Sequence, residues 1–461
     1  MRICVVGAGN VGLVTASCLA EAGHKVVLVE KDDKRLSALR AGRAPFYEPG
    51  LDDLLAKGLS SGTLSATGDV SEAVPGSEFT FVCVGTPNRR DGSQDLSQLR
   101  RAASEIGNCL STNGYSIVVL RSTVLPGTTE GMFKKSLETA ARKVAGQHFG
   151  LAMQPEFLRE GSAIFDSVNP ERVVIGEYDR RSGEALEAFY QEFYRHKVPI
   201  IRLSTYSAEL VKYASNAFLA TKVSFINEMA NLCERIPTAD IGKIANCMGL
   251  DSRIGPKFLK AGLGFGGSCL RKDAVALMHY ADQVGARLAI LRDVLRINED
   301  RIAHVVEMIR RNLSGVRGRK IAVLGLSFKP GTDDIRDAPA IKLVRALRRL
   351  GAVISAYDPA AMRNAIVELG NTITCAPSVE DCLSGADCCV VATEWPEFKR
   401  LRPEEFVARM RHPLLIDARR VYEHDSEEFE GKLSYVAIGL SRKKHRGARA
   451  RTRSLIGKRL P

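Results

Sequence analysis

Nowhere in the 461 residues does an apolar run approach the roughly 18 needed to cross a bilayer as a helix, so no membrane span is expected. There is no room for a secretory leader either. A strand and a glycine-rich turn already occupy Met1–Gly12, and a cytoplasmic protein is the expectation. The eleven cysteines contain no C-x-x-C unit and fall at irregular spacings, with Cys4 in the first strand and Cys388–Cys389 adjacent. That pattern excludes a zinc cradle and a disulfide framework, leaving scattered thiols in a reducing compartment and no metal site. Acid is missing altogether from the last 21 residues, which carry nine Lys or Arg. Without them the net charge of +13 falls to +4, so the basic balance belongs to a tail and not to the body of the protein. The tail reads as a disordered extension, either simply solvated or touching an anionic surface or RNA. A 45% hydrophobic and 26% charged composition is that of a globular protein, and the length suits two or three domains.

The chain opens as strand, G-x-G-x-x-G, helix, strand. Met1–Val6 runs into Gly7-Ala8-Gly9-Asn10-Val11-Gly12, an alanine-rich helix follows to about Ala22, and strand Lys25–Val29 ends on Glu30. Gly7 permits the tight turn, Gly9 lets backbone approach a pyrophosphate, and Gly12 brings helix against strand. A carboxylate at Glu30 is placed to accept from a ribose 2′-OH and would repel a 2′-phosphate, which favours NAD over NADP. Further strands are expected at Thr80–Val84, Ser116–Leu120, Gly150–Gln154 and Glu171–Gly176. Thr86 and Thr123 follow two of them and serve either as helix caps or as groups facing the dinucleotide cleft. The Glu156–Gly161 stretch is either a solvated turn or a substrate loop, and Arg172 serves a phosphate or the surface.

From Ser207 to about Arg235 the period changes to that of one long helix, with Leu210, Tyr213, Ala214, Ala217, Phe218, Thr221, Phe225 and Met229 recurring at three and four. Such a helix spans two domains. Lys212 and Asn216, four apart, share a face that is either solvated or presented to a substrate oxygen. Helices Thr238–Cys247 and Ala274–Met308 flank the stretch GLGFGGSCLRKD, Gly262–Asp273, which sets Cys269 behind four glycines and ahead of Lys272 and Asp273. A cysteine there is either an apolar residue in a flexible turn or a nucleophile whose thiolate fraction a neighbouring ammonium raises. A second strand–helix–strand unit begins at Lys320–Leu324 and continues through helix Ala338–Leu350 and strand Val353–Tyr357, with strands Cys388–Ala392 and Leu414–Asp417 beyond. It has no G-x-G-x-x-G. Lys329 and Arg336 supply cations instead, which suits a nucleotide diphosphate other than NAD.

The segments GAGNVG, YEPGL, VGTP, DGSQDLS, RSTVLPGTT, PEFLREGSAIFD, ELVKYASNAFLATKVSFINE, GFGGSCLRKD and GLSFKPGTDDIRDAPA, in this order, resemble the UDP-glucose/GDP-mannose dehydrogenase family over about residues 1–440. The resemblance implies an α/β chain of two Rossmann-like doubly wound domains joined by a long central helix and a helical middle domain. Residues 1–203 would bind NAD, 204–315 carry the cysteine loop, 316–440 bind the UDP-sugar, and 441–461 form the basic tail. It implies two successive oxidations by NAD at one sugar carbon, from alcohol to acid. The segments GSAIFD and SNAFLATKVSFINE are more similar to the branch that takes UDP-glucose than to those taking GDP-mannose or a UDP-N-acetylhexosamine.

The same resemblance assigns roles. Cys269 matches the nucleophile, Asp273 the carboxylate that assists water, Lys212 and Asn216 the groups that stabilise oxygen charge, and Glu156 and Thr123 residues around the attacking water. Phe157, Leu158, Glu160, Lys260, Phe265, Gly266, Phe328 and Lys329 match substrate contacts. Arg253 matches one that reaches a neighbouring subunit's site, which implies a homodimer or larger assembly. Gly7, Gly9, Asn10, Val11, Gly12, Glu30, Arg35, Thr86, Thr123, Lys272 and Arg336 fall on the cofactor side. Gln154, Leu125-Pro126 and Leu270-Arg271 depart from the common pattern without removing a chemical group. A non-catalytic nucleotide-binding or RNA-associated module is the competing reading, and it has no use for Cys269, Lys212 and Asp273 together.

Overall fold

The computed structural model describes residues 1–110 and 114–441. The basic tail expected at 441–461 lies, apart from Ser441, outside the described residues.

Eight strands form the first sheet: β1 (Arg2–Val6), β2 (Lys25–Val29), β3 (Leu64–Thr67), β4 (Phe79–Val82), β5 (Ile117–Leu120), β6 (Gly150–Met153), β7 (Val173–Glu177) and β8 (Ile200–Ser204). Their order is β3-β2-β1-β4-β5-β6-β7-β8, and every neighbouring pair is parallel except β6 with β7. The central strands are apolar on both faces because helices cover both sides. Register puts Val6 opposite Val29 and Val82, Val82 opposite Leu120, and Leu120 opposite Met153. The loops after β1, β4, β5 and β6 therefore leave from one edge. The order reverses between β1 and β4, where ligands bind in open sheets of this kind.

The second sheet has six parallel strands: β9 (Lys320–Leu324), β10 (Val353–Tyr357), β11 (Thr374–Cys375), β12 (Cys388–Val391), β13 (Leu414–Asp417) and β14 (Ser434–Ala437). Their order is β11-β10-β9-β12-β13-β14. Its turn after β9 is held by a carboxylate. The buried Asp358, just past β10, accepts from Leu326 N at 2.7 Å, Ser327 N at 3.0 Å and Ser327 Oγ at 2.9 Å.

The helix Thr205–Cys233 starts at the end of β8, capped by Ser204, and its 29 residues extend about 43 Å. It enters three hydrophobic cores in turn. Ala208 packs with the first sheet, Tyr213 and Ala220 with Phe265 and Ala274 of the middle region, and Ile226, Ala230 and Cys233 with Ile321 and Val323 of the second sheet. One rod thus fixes the two sheets relative to the cysteine loop. Its faces are mixed and depart from a simple amphipathic reading: Lys212, Asn216 and Asn227 are buried, while Leu210, Phe218 and Phe225 are exposed. The single helix expected over 274–308 is two, Leu270–Gln283 and Ala289–Leu313. Gly285 adopts φ +77° just past the first, and Ala286 N closes back on Ala281 O at 2.8 Å, a helix-ending turn.

Candidate active site

Close backbone approach explains the glycines ahead of Cys269. A Cβ on Gly266 would lie 2.6 Å from Pro339 Cδ and 2.7 Å from Asp337 O, and one on Gly267, at φ +84°, 2.8 Å from the Phe328 ring. The second domain thus presses directly on the loop, and Gly267 N donates to Arg336 O at 3.0 Å. From behind, Asn298 brackets Phe265, accepting from its N at 2.8 Å and donating to its O at 3.0 Å. Two guanidinium groups, the buried Arg301 and the partly buried Arg419, hold alternate carbonyls, Arg301 Nε to Gly262 O at 3.0 Å and Arg419 Nη1 to Gly264 O at 2.9 Å. The loop is a rigid mount rather than a flexible turn.

On this mount Cys269 is exposed and sits at the start of helix Leu270–Gln283. Its thiol is nonetheless ringed by protein. That desolvation, with the Asp273 carboxylate adding to it, pushes the pKa up, and the Lys212 ammonium opposes the rise. The sequence-adjacent cation does not supply the help expected of it, because Lys272 Nζ is bonded to Asp273 Oδ1 at 2.6 Å. Asp273 is held from its other side by Asn216 Nδ2 at 2.6 Å. Ser268 Oγ lies 3.4 Å from Cys269 Sγ and 3.3 Å from Glu160 Oε1.

Lys212 and Glu156 form a buried ion pair at 2.9 Å, with Glu156 Oε2 also accepting from Leu158 N at 2.6 Å. Burial works against both charges, but the attraction wins: Lys212 is held above the usual lysine range and Glu156 below the usual carboxylate range. Phe157 lies beneath, with Lys212 Nζ 5.5 Å and the Arg172 guanidinium 4.3 Å from its ring centre. Arg172 therefore stacks on an aromatic face.

Glu160 lies where the two Rossmann-like domains meet, 3.4 Å from Arg336 Nη2. Burial and the facing Asp334 push its pKa up to about 7, with Arg336 and Lys329 opposing. Burial also pulls Lys329 below its ordinary value, against the attraction of Glu160 and Glu48. A Cβ on Gly161 would lie 2.7 Å from Gly331 O, so backbone meets backbone beside Lys329. Glu48 holds this loop, accepting from Gly161 N at 2.6 Å and Ala163 N at 2.8 Å. The YEPGL motif signalled Glu48, but only the fold reveals this clamp. Gln94 and Arg419 were likewise missed, the first inside DGSQDLS, the second in a segment carrying no other signal.

Thr123 lies beside this cluster at the end of β5, its carbonyl accepting from Thr86 Oγ1 at 2.7 Å and Gln94 Nε2 at 2.8 Å. The Thr86 hydroxyl is thereby committed to the loop. Arg253 is not in the cluster: its guanidinium is exposed and paired with Asp251 at 2.6 Å. Lys260 is exposed, as is Arg35 on the helix Asp33–Arg40.

A dinucleotide fits the edge of the first sheet. Gly9 caps helix Asn10–Glu21 without any side-chain cap, and a Cβ there would meet nothing within 4 Å, so the helix N-terminus faces open space. Gly7 has φ +101°, and a Cβ on Gly12 would fall 1.8 Å from Gly7 O, so both are obligatory for the turn. The Glu30 carboxylate sits at the end of β2, accepting from Ala8 N at 3.2 Å and Asp32 N at 3.0 Å.

A doubly wound sheet with an open glycine turn, facing a second such sheet across a buried Lys–Glu pair and a presented thiol, defines an NAD-dependent dehydrogenase. The NAD-binding, central and UDP-binding domains of the UDP-glucose/GDP-mannose dehydrogenase family match residues 1–194, 206–300 and 322–424. The chain belongs to that family and oxidises a nucleotide sugar with NAD. It is similar to a UDP-glucose 6-dehydrogenase of Bacillus subtilis, with 42% identity over 95% of this chain and 93% of the relative. Among solved structures it is similar to a UDP-glucose dehydrogenase from Pyrobaculum islandicum (38% identity, TM-score 0.87, 95% and 98% of the two chains). It is also similar to a GDP-mannose dehydrogenase from Pseudomonas aeruginosa (32% identity, TM-score 0.54, 91% and 96%). Among the described residues no helix is long and apolar enough to cross a membrane, and no cluster has the ligands for a metal ion.

Proposed function

We propose that the protein oxidises UDP-glucose twice at C6 to UDP-glucuronate, the second oxidation passing through a covalent bond to Cys269. The observation that carries this reading is an exposed thiol on a rigid loop, between an anchored carboxylate, Asp273, and a buried ammonium, Lys212. NAD, when bound, supplies the hydride acceptor for both oxidations. Phe157, Leu158, Glu160, Phe265, Gly266, Phe328, Lys329 and, at its exposed position, Lys260 bind and orient the nucleotide sugar. Gly7, Gly9, Asn10, Val11, Gly12, Glu30, Arg35, Thr86, Thr123, Lys272 and Arg336 serve the dinucleotide. In the first step a base takes the hydroxyl proton, and the Glu156–Lys212 pair, with Thr123, orders the water that later attacks the thioester. Cys269 then adds to the aldehyde as a thiohemiacetal, and the second oxidation leaves a thioester. Lys212 and Asn216 donate to the oxygen as it gains charge, and Asp273 assists the water that releases the acid. A thiolate suits this sequence because its ester stays open to hydrolysis.

UDP-glucose is favoured by sequence identity to relatives of that name, 42% and 38%, against 32% for the GDP-mannose enzyme and 30% for a UDP-N-acetylmannosamine dehydrogenase. NADH formed from purified UDP-glucose, GDP-mannose and a UDP-N-acetylhexosamine tests this. Two NADH per sugar and kcat/KM at least about 100-fold higher on UDP-glucose are expected. One NADH per sugar would remove the double oxidation, and equal rates would remove the substrate assignment.

The domains divide in this reading at about 204 and 316, where the long helix begins and where the linker into the second sheet lies. Tyr206, Leu210, Phe218, Phe225 and Leu232 expose an apolar stripe along that helix, which supports a homodimer in which Arg253 turns toward the neighbouring site. A monomeric sedimentation mass at micromolar concentration would remove the dimer.

A further inference from the structure

Glu209 lies one helical turn before Lys212 and two before Asn216, and it is fully buried. Its carboxylate is answered by backbone and hydroxyl donors rather than by a cation. Gly127 N donates to Oε2 at 2.6 Å, while Thr129 N at 2.8 Å and Thr129 Oγ1 at 2.6 Å donate to Oε1. Thr129 opens a wide helical turn, Thr129–Phe133, and the carboxylate lies over the N–H groups at its start. Burying a carboxylate without an ammonium is costly, and burial, with Glu130 close by, pushes this one up to about 7. An apolar side chain would be cheaper to bury there. What the carboxylate adds is geometry.

The donors belong to the loop that begins at Thr123. The same loop has a second tie to the same helix. Gln94 Nε2 bridges Thr123 O at 2.8 Å and Tyr213 Oη at 3.0 Å, and Gln94 Oε1 accepts from Leu125 N at 3.3 Å. Tyr213 is the residue after Lys212. The loop is thus fastened at both ends to the helix that presents Lys212 and Asn216, by Gln94–Tyr213 near Thr123 and by Glu209 four to six residues on.

We propose that Glu209 is a positioning residue for the dehydrogenase reaction, fixing the loop that carries Thr123 against the helix face that carries Lys212 and Asn216. The inference rests on the reading of those three residues given above. A shift of the loop moves Thr123 relative to the reacting carbon without touching any surface that binds the sugar nucleotide, so the loss falls on kcat and not on the KM for the sugar nucleotide. Glu209→Gln keeps the shape and can still accept from Thr129 but turns an NH2 toward Gly127 N. Glu209→Ala removes all three acceptor contacts.

The test measures kcat, both KM values and Tm for Glu209→Gln, Glu209→Ala, Thr123→Ala and the double variant Glu209→Ala/Thr123→Ala. Each Glu209 variant should lose about 10- to 100-fold in kcat with the KM for the sugar nucleotide within about two-fold. In the Thr123→Ala background the Glu209→Ala change should cost no more than about three-fold further, because the two act as one unit. If Glu209→Ala does not fold, Glu209→Gln takes its place in the cycle. A folded Glu209 variant with wild-type kcat overturns the proposal. So does an equal loss in both backgrounds, which marks a structural role independent of Thr123. The two failures separate: an inert Thr123→Ala overturns the reading of Thr123 and the coupling with it, whereas a damaging Thr123→Ala with an additive Glu209→Ala overturns Glu209 alone.

Discussion

Cys269→Ser should lose at least about 1,000-fold in steady-state acid production while remaining folded. The side chain is exposed and contributes little to packing, so Tm should move by no more than a few degrees. The chemistry is less forgiving. The site already pushes the thiol pKa up through desolvation and Asp273, with Lys212 as the counterweight. A serine hydroxyl starts far higher and would be neutral in the same surroundings. Any ester it formed would resist the hydrolysis that a thioester undergoes. The first oxidation needs only a proton acceptor and NAD, so a first NADH should still form. The readout is NADH against acid: the variant should give NADH in stoichiometric or substoichiometric burst and no acid. Full steady-state acid production would take Cys269 out of the mechanism.

Lys212→Ala should lower kcat by about 100- to 1,000-fold and leave KM for the sugar nucleotide within a few-fold. A donor aimed at developing oxygen charge is worth about 3 kcal/mol, and its loss falls on the transition state. This change also strips Glu156 of its buried partner. Breaking such a pair costs about 3–5 kcal/mol, because a carboxylate is left desolvated and its pKa rises toward neutrality. Glu156, depressed in the folded state, contributes stability above its unfolded pKa and loses it as pH falls through the folded one. Lys212, raised, contributes below its unfolded pKa and loses it as pH rises through the folded one. The pair therefore supports the fold across the neutral range. Pairing Lys212→Ala with Glu156→Gln separates the two effects, since neutralising the orphaned carboxylate should restore Tm but not kcat. A double variant with both restored would reduce Lys212 to a structural cation, as would an unchanged kcat in the single variant.

Much of the scaffold could be read from the residues because its central strands are short apolar runs bounded by turn formers. Lys25–Val29, Lys320–Leu324, Val353–Tyr357 and Leu414–Asp417 appear with the expected limits. The strands at the sheet edges were not legible. Leu64–Thr67 mixes exposed and buried positions, Ile200–Ser204 has none fully buried, and neither has the long apolar run that would announce it. The long helix misleads for a related reason. Lys212, Asn216 and Asn227 are buried beside Tyr213, Ala220 and Ile226, while Leu210, Phe218 and Phe225 are left outside along a stripe, so hydrophobicity alone does not separate its faces. Sequence adjacency misled at Lys272, whose charge is spent on Asp273, while the cation that acts on the thiol arrives from 57 residues away in the chain, at Lys212. Glu48 and Glu209 belong to recognisable segments, but each clamps a loop far from it in sequence, about 113 and 80 residues away. No local pattern records such a pairing.

The passage of the sugar carbon through a bond to sulfur is tested most directly by quenching the wild-type enzyme in acid during turnover and weighing the peptide that contains Cys269. That peptide should carry the mass of the sugar-nucleotide acyl group, and the adduct should vanish when substrate is exhausted. An unmodified Cys269 peptide in enzyme caught while forming acid at full rate would contradict the account.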